Sequence, residues 1–207
     1  DLAKAAELAQ QWGYDEIDLN CGCPSERVQR GAFGACLMAE PQLVADCVKA
    51  MKAAVDTPIT VKHRLGLNSM DAANSEADYQ FALNFILAVA DAGASQVTIH
   101  ARNAVLKGLS PKENRSKPPL RYEVAAKLRL DAQKQFPNLK VLLNGGLETN
   151  DQIAGHWDEF DGFMVGRAAY HFPALLLGWD DMINTDGDAA GYLFSETEWH
   201  RIQIALV

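Results

Sequence analysis

The chain has 207 residues, 48% of them apolar and 22% charged, with a formal net charge of −8. That length holds one large domain or two small ones, and the balance is that of an ordinary globular protein. No run reaches the roughly 18 apolar residues of a membrane helix, and four irregularly spaced cysteines exclude a disulfide scaffold and point to reduced thiols in a cytoplasmic protein.

The opening DLAKAAELAQQWG lacks the basic flank and apolar run of a signal peptide and predicts a helix. EIDLN (16–20) reads as a strand, followed by the loop NCGCPSERVQRGAFGACLM. Leu43, Val44, Cys47, Val48 and Met51 then share one helical stripe, with Pro41 placed for the first turn. PITVKHR (58–64) is a second strand. Tyr79, Leu83, Ile86 and Ala90 form another stripe, closed by Gly93. QVTIHAR (96–102) follows, then a basic stretch and a third stripe of Val124, Ala125, Leu128 and Ala132. KVLLNGG (140–146) and DGFMVGR (161–167) complete the strands. Their Val, Ile and Leu content suits parallel strands buried on both faces. Residues 181–194 are linker-like, and Ser195 with Glu198 forms a capping box that opens a further helix.

Asn20, Lys62, His100 and Asn144 mark strand ends at intervals of 38 to 44 residues, so this is a β/α array. Doubly wound sheets and TIM barrels both alternate in this way. The polar residues favour the barrel. Asn20 with Cys23, Lys62 with Arg64, His100 with Arg102, Asn144 with Gly145 and Gly146, and Gly166 with Arg167 all follow strand ends. The loops of a barrel share one mouth, and its last loops commonly take a phosphate on glycine backbone. The expected fold is a TIM (β/α)8 barrel of which five strands are present. Residues 1–180 are its barrel part, 181–194 a linker and 195–207 the start of a C-terminal helical domain, with the chain expected to be cut at both ends.

Cys21 and Cys23 lack the second pair of ligands that zinc requires, so no metal is expected, and a disulfide across two residues would be strained. The loop has no GKS, GKT or GxGxxG for a phosphate. What remains is one reactive thiol, or two small buried hydrophobes. Residues 102–121 carry Arg102, Lys107, Lys112, Arg115, Lys117 and Arg121 against Glu113 alone, a local +5 in a chain that is otherwise −13. That segment is either a solvated loop or a place for a phosphate backbone.

NCGCPSERVQRGAFGACLM resembles the active-site signature of the tRNA-dihydrouridine synthases. TVKHRLG, TIHAR, LNGG and MVGR resemble that family's later barrel motifs in the same order, and GLSPKENRSKPPL resembles its A-type bacterial subfamily. The resemblance covers about residues 1 to 180. It implies an FMN-dependent oxidoreductase, with NADPH as reductant, that saturates a uridine of the tRNA D-loop, at position 20 or 20a for this subfamily. The base would be flipped out to reach the flavin. Hydride would reach C6, and Cys23 matches the family's proton donor to C5. A thiol of ordinary acidity is protonated at neutral pH and suits that task.

By the same resemblance Lys62 and His100 lie beside the flavin, Asn144, Gly145, Gly146, Gly166 and Arg167 cradle its phosphate, Asn20 positions base or flavin, and Lys112 and Arg115 touch the tRNA. Arg27 and Arg30 flank the catalytic loop as weaker candidates. The family's first three strands, with a Pro-Met pair and a glutamine, and most of its helical domain have no counterpart here. The chain alone is therefore expected to be a poor catalyst and the intact protein the enzyme. An FMN reductase of a free pyrimidine and a noncatalytic RNA-binding relic of the same fold are the rival readings.

Overall fold

A computed structural model of the chain describes residues 1–27, 31, 33–68, 75–177 and 179. These fall into two compact units, the first being Asp1–Gly146 with Phe160–Met164. The expected linker, the capping box at Ser195 and Glu198, and Arg30 lie outside the described residues.

The first unit begins with α1 (Leu2–Gln11), the helix expected there. Strands β1 (Ile17–Cys21), β2 (Ile59–Arg64), β3 (Gln96–His100), β4 (Lys140–Asn144) and β5 (Gly162–Met164) form one parallel sheet in sequential order. Between them run α2 (Pro41–Lys52), α3 (Ser75–Asp91) and α4 (Tyr122–Gln135). A doubly wound sheet reverses its order at a switch point; a barrel wall does not. Here the order never reverses, and α1, α2, α3 and α4 each pack against the next. These are consecutive β/α units of a TIM-type barrel.

Pro41 opens α2 at its first turn, and Gly93 follows α3 with φ of +103°, the left-handed conformation that glycine takes without strain. Val44, Val48 and Met51 are buried as their spacing requires, whereas Leu43 is exposed at the rim of its stripe. Val61, Val97, Ile99, Val141 and Leu143 fill the layer between sheet and helices. His63 joins them, its ring tilted by 53° against that of Phe85 of α3, with centroids 5.2 Å apart.

The other face of the sheet departs from the expectation of all-apolar strands. Side chains alternate along a strand, so Thr60, Lys62 and Arg64 point away from His63, toward the barrel interior. The register aligns Asn20 with Lys62, Lys62 with Thr98, Arg64 with His100 and His100 with Asn144. The interior face is thus polar toward the C-terminal ends of the strands.

In the second unit, Leu147–Glu159 with the described residues from Val165 onward, α5 (Asn150–Ala154) starts at a capping box of Thr149 and Gln152. α6 (Arg167–His171) and a 3-10 turn at Pro173–Leu176 follow. No described helix is long and apolar enough to cross a membrane.

Candidate active site

The loop after β1 is built by its own short-range bonds. Asn20 Oδ1 accepts from the Gly22 amide at 2.9 Å, folding the chain over just before Cys23. The Cys23 carbonyl accepts from the Ala35 amide at 2.8 Å, so the 3-10 helix Gly34–Ala39 closes the loop from its far side. Cys23 is half-buried and its Sγ lies 3.5 Å from Ser25 Oγ. Cys21 differs sharply. It is 1% exposed, and burial pushes its thiol up to about 12. All four cysteines are free thiols, and the described residues hold no cluster fit for a metal. Of Cys21 and Cys23, only Cys23 is accessible.

Lys62 shares the interior face with Asn20, one strand away. Burial, with the nearby Arg64 charge, pulls its ammonium down to about 8, while Asp18 and Cys23 act in the opposite direction. An ammonium so placed gains from an anion brought beside it.

His100 ends β3 and is buried, and the turn after β4 packs against it. A Cβ on Gly145 would come within 2.9 Å of the imidazole, and one on Gly146 would strike Leu120 and come 3.1 Å from Tyr122 Oη. Both glycines have positive φ, +107° and +69°. Tyr122 Oη donates to the Gly145 carbonyl at 2.6 Å and fixes the turn. Asn144 Nδ2 donates to the Met164 carbonyl at 2.6 Å, so that end ties β4 to β5 and its Oδ1 remains as acceptor. Gly145 and Gly146 are thus required by the packing of their own turn, and Lys62 places a cation on the polar interior face, where an anion or an acceptor group would be favoured. Gly166 and Arg167 belong to the second unit, where Arg167 opens α6.

The basic segment is more ordered than a solvated loop. Ser110 and Glu113 bond reciprocally, with Ser110 N donating to Glu113 Oε2 at 2.9 Å and Glu113 N to Ser110 Oγ at 3.2 Å. Asn114 is fully buried. Its Nδ2 donates to the Val105, Leu109 and Ser110 carbonyls, and its Oδ1 accepts from the Val105 amide at 2.7 Å. Lys112 and Arg115, three apart around the 3-10 turn Glu113–Arg115, therefore share one exposed face.

The other cations of the segment are partly spent inside. Arg121, expected to add to a phosphate surface, is 6% exposed, and its Nη2 pairs with Asp78 at 2.9 Å. Asn103 completes that network, donating to Asp78 and accepting from Arg121. Arg102 holds the Ser116 and Pro118 carbonyls, and Lys117 pairs with Glu113 at 2.7 Å. Arg64 also turns from ligand to scaffold, with its guanidinium on backbone carbonyls of Gly22, Asn103 and Asn114. Sequence reasoning missed Asn114 and Asp78 altogether. A small amide in the middle of a charged run was the available signal for Asn114.

The family model described as "Dihydrouridine synthase (Dus)" matches residues 1–195. Over 183 residues the chain is 54% identical to the tRNA-dihydrouridine(20/20a) synthase of Pseudomonas putida, covering 88% of this chain and 52% of that protein. The proteins of the same name from Xanthomonas campestris and Synechocystis are 57% and 53% identical over 175 residues, 84% of this chain and 49% of each. The chain thus spans about half the length of these curated relatives. Sequence match and β/α order agree: this chain belongs to the dihydrouridine synthase family.

Proposed function

We propose that the complete protein reduces a uridine of the tRNA D-loop, at position 20 or 20a, to 5,6-dihydrouridine in the cytoplasm, with FMN as resident cofactor and NADPH as reductant. The observation that carries this reading is the polar interior face, where Asn20, Lys62, His100 and Asn144 stand in neighbouring registers beside the Cys23 loop. FMN, where bound, would supply the hydride for C6 of the uracil ring. Cys23 gives its thiol proton to C5, completing the two-atom addition. Lys62 would hold a positive charge beside the flavin ring, lowering the cost of negative charge there. His100 donates a hydrogen bond from the strand end. Asn144, Gly145 and Gly146 hold the phosphate, Gly166 and Arg167 are the further phosphate residues that the family resemblance implies, and Asn20 Nδ2 orients the base.

Lys112 and Arg115 favour an RNA over a free pyrimidine. They are paired on one exposed turn that Ser110, Glu113 and Asn114 hold in shape. A free base needs no such pair, and phosphates do. The decisive experiment replaces Cys23 with Ala in the full-length protein and measures dihydrouridine in tRNA by mass spectrometry. Product should fall by about 100-fold or more, the scale of a lost proton donor, while the flavin absorbance per protein stays constant. Undiminished product overturns the assignment.

A further inference from the structure

Three backbone carbonyls converge on one guanidinium. Arg64 Nε donates to Gly22 O at 3.1 Å, and Nη1 donates to Asn114 O at 2.9 Å and to Asn103 O at 3.3 Å. Gly22 is the residue before Cys23, and Asn114 is the residue before Arg115. One side chain therefore grips the loop that carries the thiol and the loop that carries the exposed cations. The two gripped residues, Gly22 and Asn114, lie 92 residues apart in sequence.

The arginine is placed for this and for little else. It is the last residue of β2 and 3% exposed. Among the described residues no carboxylate lies within ion-pair distance, and the neighbouring charges Arg102, Arg115 and Lys62 are all cations. A buried charge without an acid must be held by dipoles, and the three carbonyls supply them. The Arg64 amide adds a bond to Met38 Sδ at 3.4 Å, on the 3-10 helix that closes the Cys23 loop. A guanidinium offers five N–H groups in a rigid plane, which lets it meet carbonyls from several directions at once.

We propose that Arg64 is a positioning residue that locks the Cys23 loop to the Lys112–Arg115 loop, so that the proton donor and the RNA-gripping cations keep a fixed spacing. The roles given to the two loops rest on the function proposed above; the lock between them does not. A lysine cannot replace it. Its compact ammonium on a flexible stem reaches one or two of these carbonyls and leaves a third unsatisfied.

The test uses the full-length protein with Arg64→Lys, Arg64→Met and, as a control of similar destabilisation, Val89→Ala in the core of α3. Two readouts need neither tRNA nor turnover: alkylation of Cys23 by iodoacetamide, and tryptic cleavage at Lys112 and Arg115. Loss of the lock should raise both rates together by at least about threefold, as local opening becomes easier, with no such rise in Val89→Ala. If Arg64→Met does not fold, Arg64→Lys decides. An increase in one loop only, no increase in either, or an equal increase in the control overturns the lock. A filter-binding titration with tRNA separates the two ideas. Linked loosening with weakened tRNA binding supports both, whereas linked loosening with unchanged tRNA affinity keeps the lock and overturns the RNA-binding role of Lys112 and Arg115.

Discussion

Gly145 and the imidazole of His100 are in mutual contact, so close that a methyl on Gly145 would lie 2.9 Å from His100 Cδ2. The position also has φ of +107°, where an L side chain is strained by about 1–2 kcal/mol. Gly145→Ala should therefore destabilise the fold and push the His100 ring out of place. In the full-length protein it should lower both the thermal midpoint and the bound flavin. Adding His100→Ala removes the collision, so the double variant should regain part of the midpoint but none of the flavin. If the double variant is no more stable than Gly145→Ala, the two residues are not in conflict and the reading of this turn is wrong.

Lys62 makes the cofactor's affinity depend on pH. Its ammonium is pulled down to about 8 in the cofactor-free site. An acceptor nitrogen or oxygen of the flavin ring beside it favours the ammonium, so binding raises that pKa and takes up a proton around pH 8. Affinity for FMN should accordingly be full below pH 8 and decline as pH rises past it. Titrating apoprotein with FMN at pH 7 and pH 9 by fluorescence quenching measures this. Lys62→Arg keeps its charge throughout and should flatten the profile; a slope that survives this substitution belongs to another group.

The basic segment separates into two kinds of cation. Lys112 and Arg115 are exposed, whereas Arg121 is inside on Asp78. Lys112→Ala with Arg115→Ala should lower the salt slope of tRNA binding by about 1 to 2. Arg121→Met leaves Asp78 buried without its partner, which costs about 3–5 kcal/mol of stability. The slope of Arg121→Met, measured well below its midpoint, should match the parent. A slope reduced as in the Lys112 and Arg115 variant would make Arg121 a phosphate contact after all.

That division was beyond the sequence, and the reason is physical. Charge counts register Arg102 and Arg121 as they do Lys112, but burial is set by residues far away, such as Asp78 on α3. The array of strands was legible because apolar runs and polar strand ends repeat locally. EIDLN, PITVKHR and KVLLNGG each fall within about two residues of β1, β2 and β4, as expected at frayed ends. Which of two neighbours on a strand faces the interior was not legible. Lys62 and His63 are neighbours in sequence, yet the pleat sends one to a ligand-facing surface and the other against Phe85. Likewise Arg64 looked like a ligand group because its distance from three carbonyls exists only after β2 and β3 pair.

His63 carries a last consequence, for stability. It is fully buried, its Nδ1–H donates to the Arg64 carbonyl at 2.7 Å, and its Nε2 has no partner among the described residues. Burial pulls the imidazole down to about 4, against the hydrogen bond to the Arg64 carbonyl, and the adjacent Lys62 adds to the lowering. The neutral ring is the folded form. Unfolded chains take up a proton near pH 6.5, so folding becomes less favourable as pH falls below that value, and the loss is complete near pH 4. The loss is on the order of 3 kcal/mol. Urea denaturation at pH 7.5, 6, 5 and 4 should follow that decline, and His63→Leu should remove most of it while lowering stability at pH 7.5, because the Arg64 carbonyl loses a donor. A parent-like decline in His63→Leu would assign acid sensitivity to the carboxylates and leave the buried imidazole without a part in it.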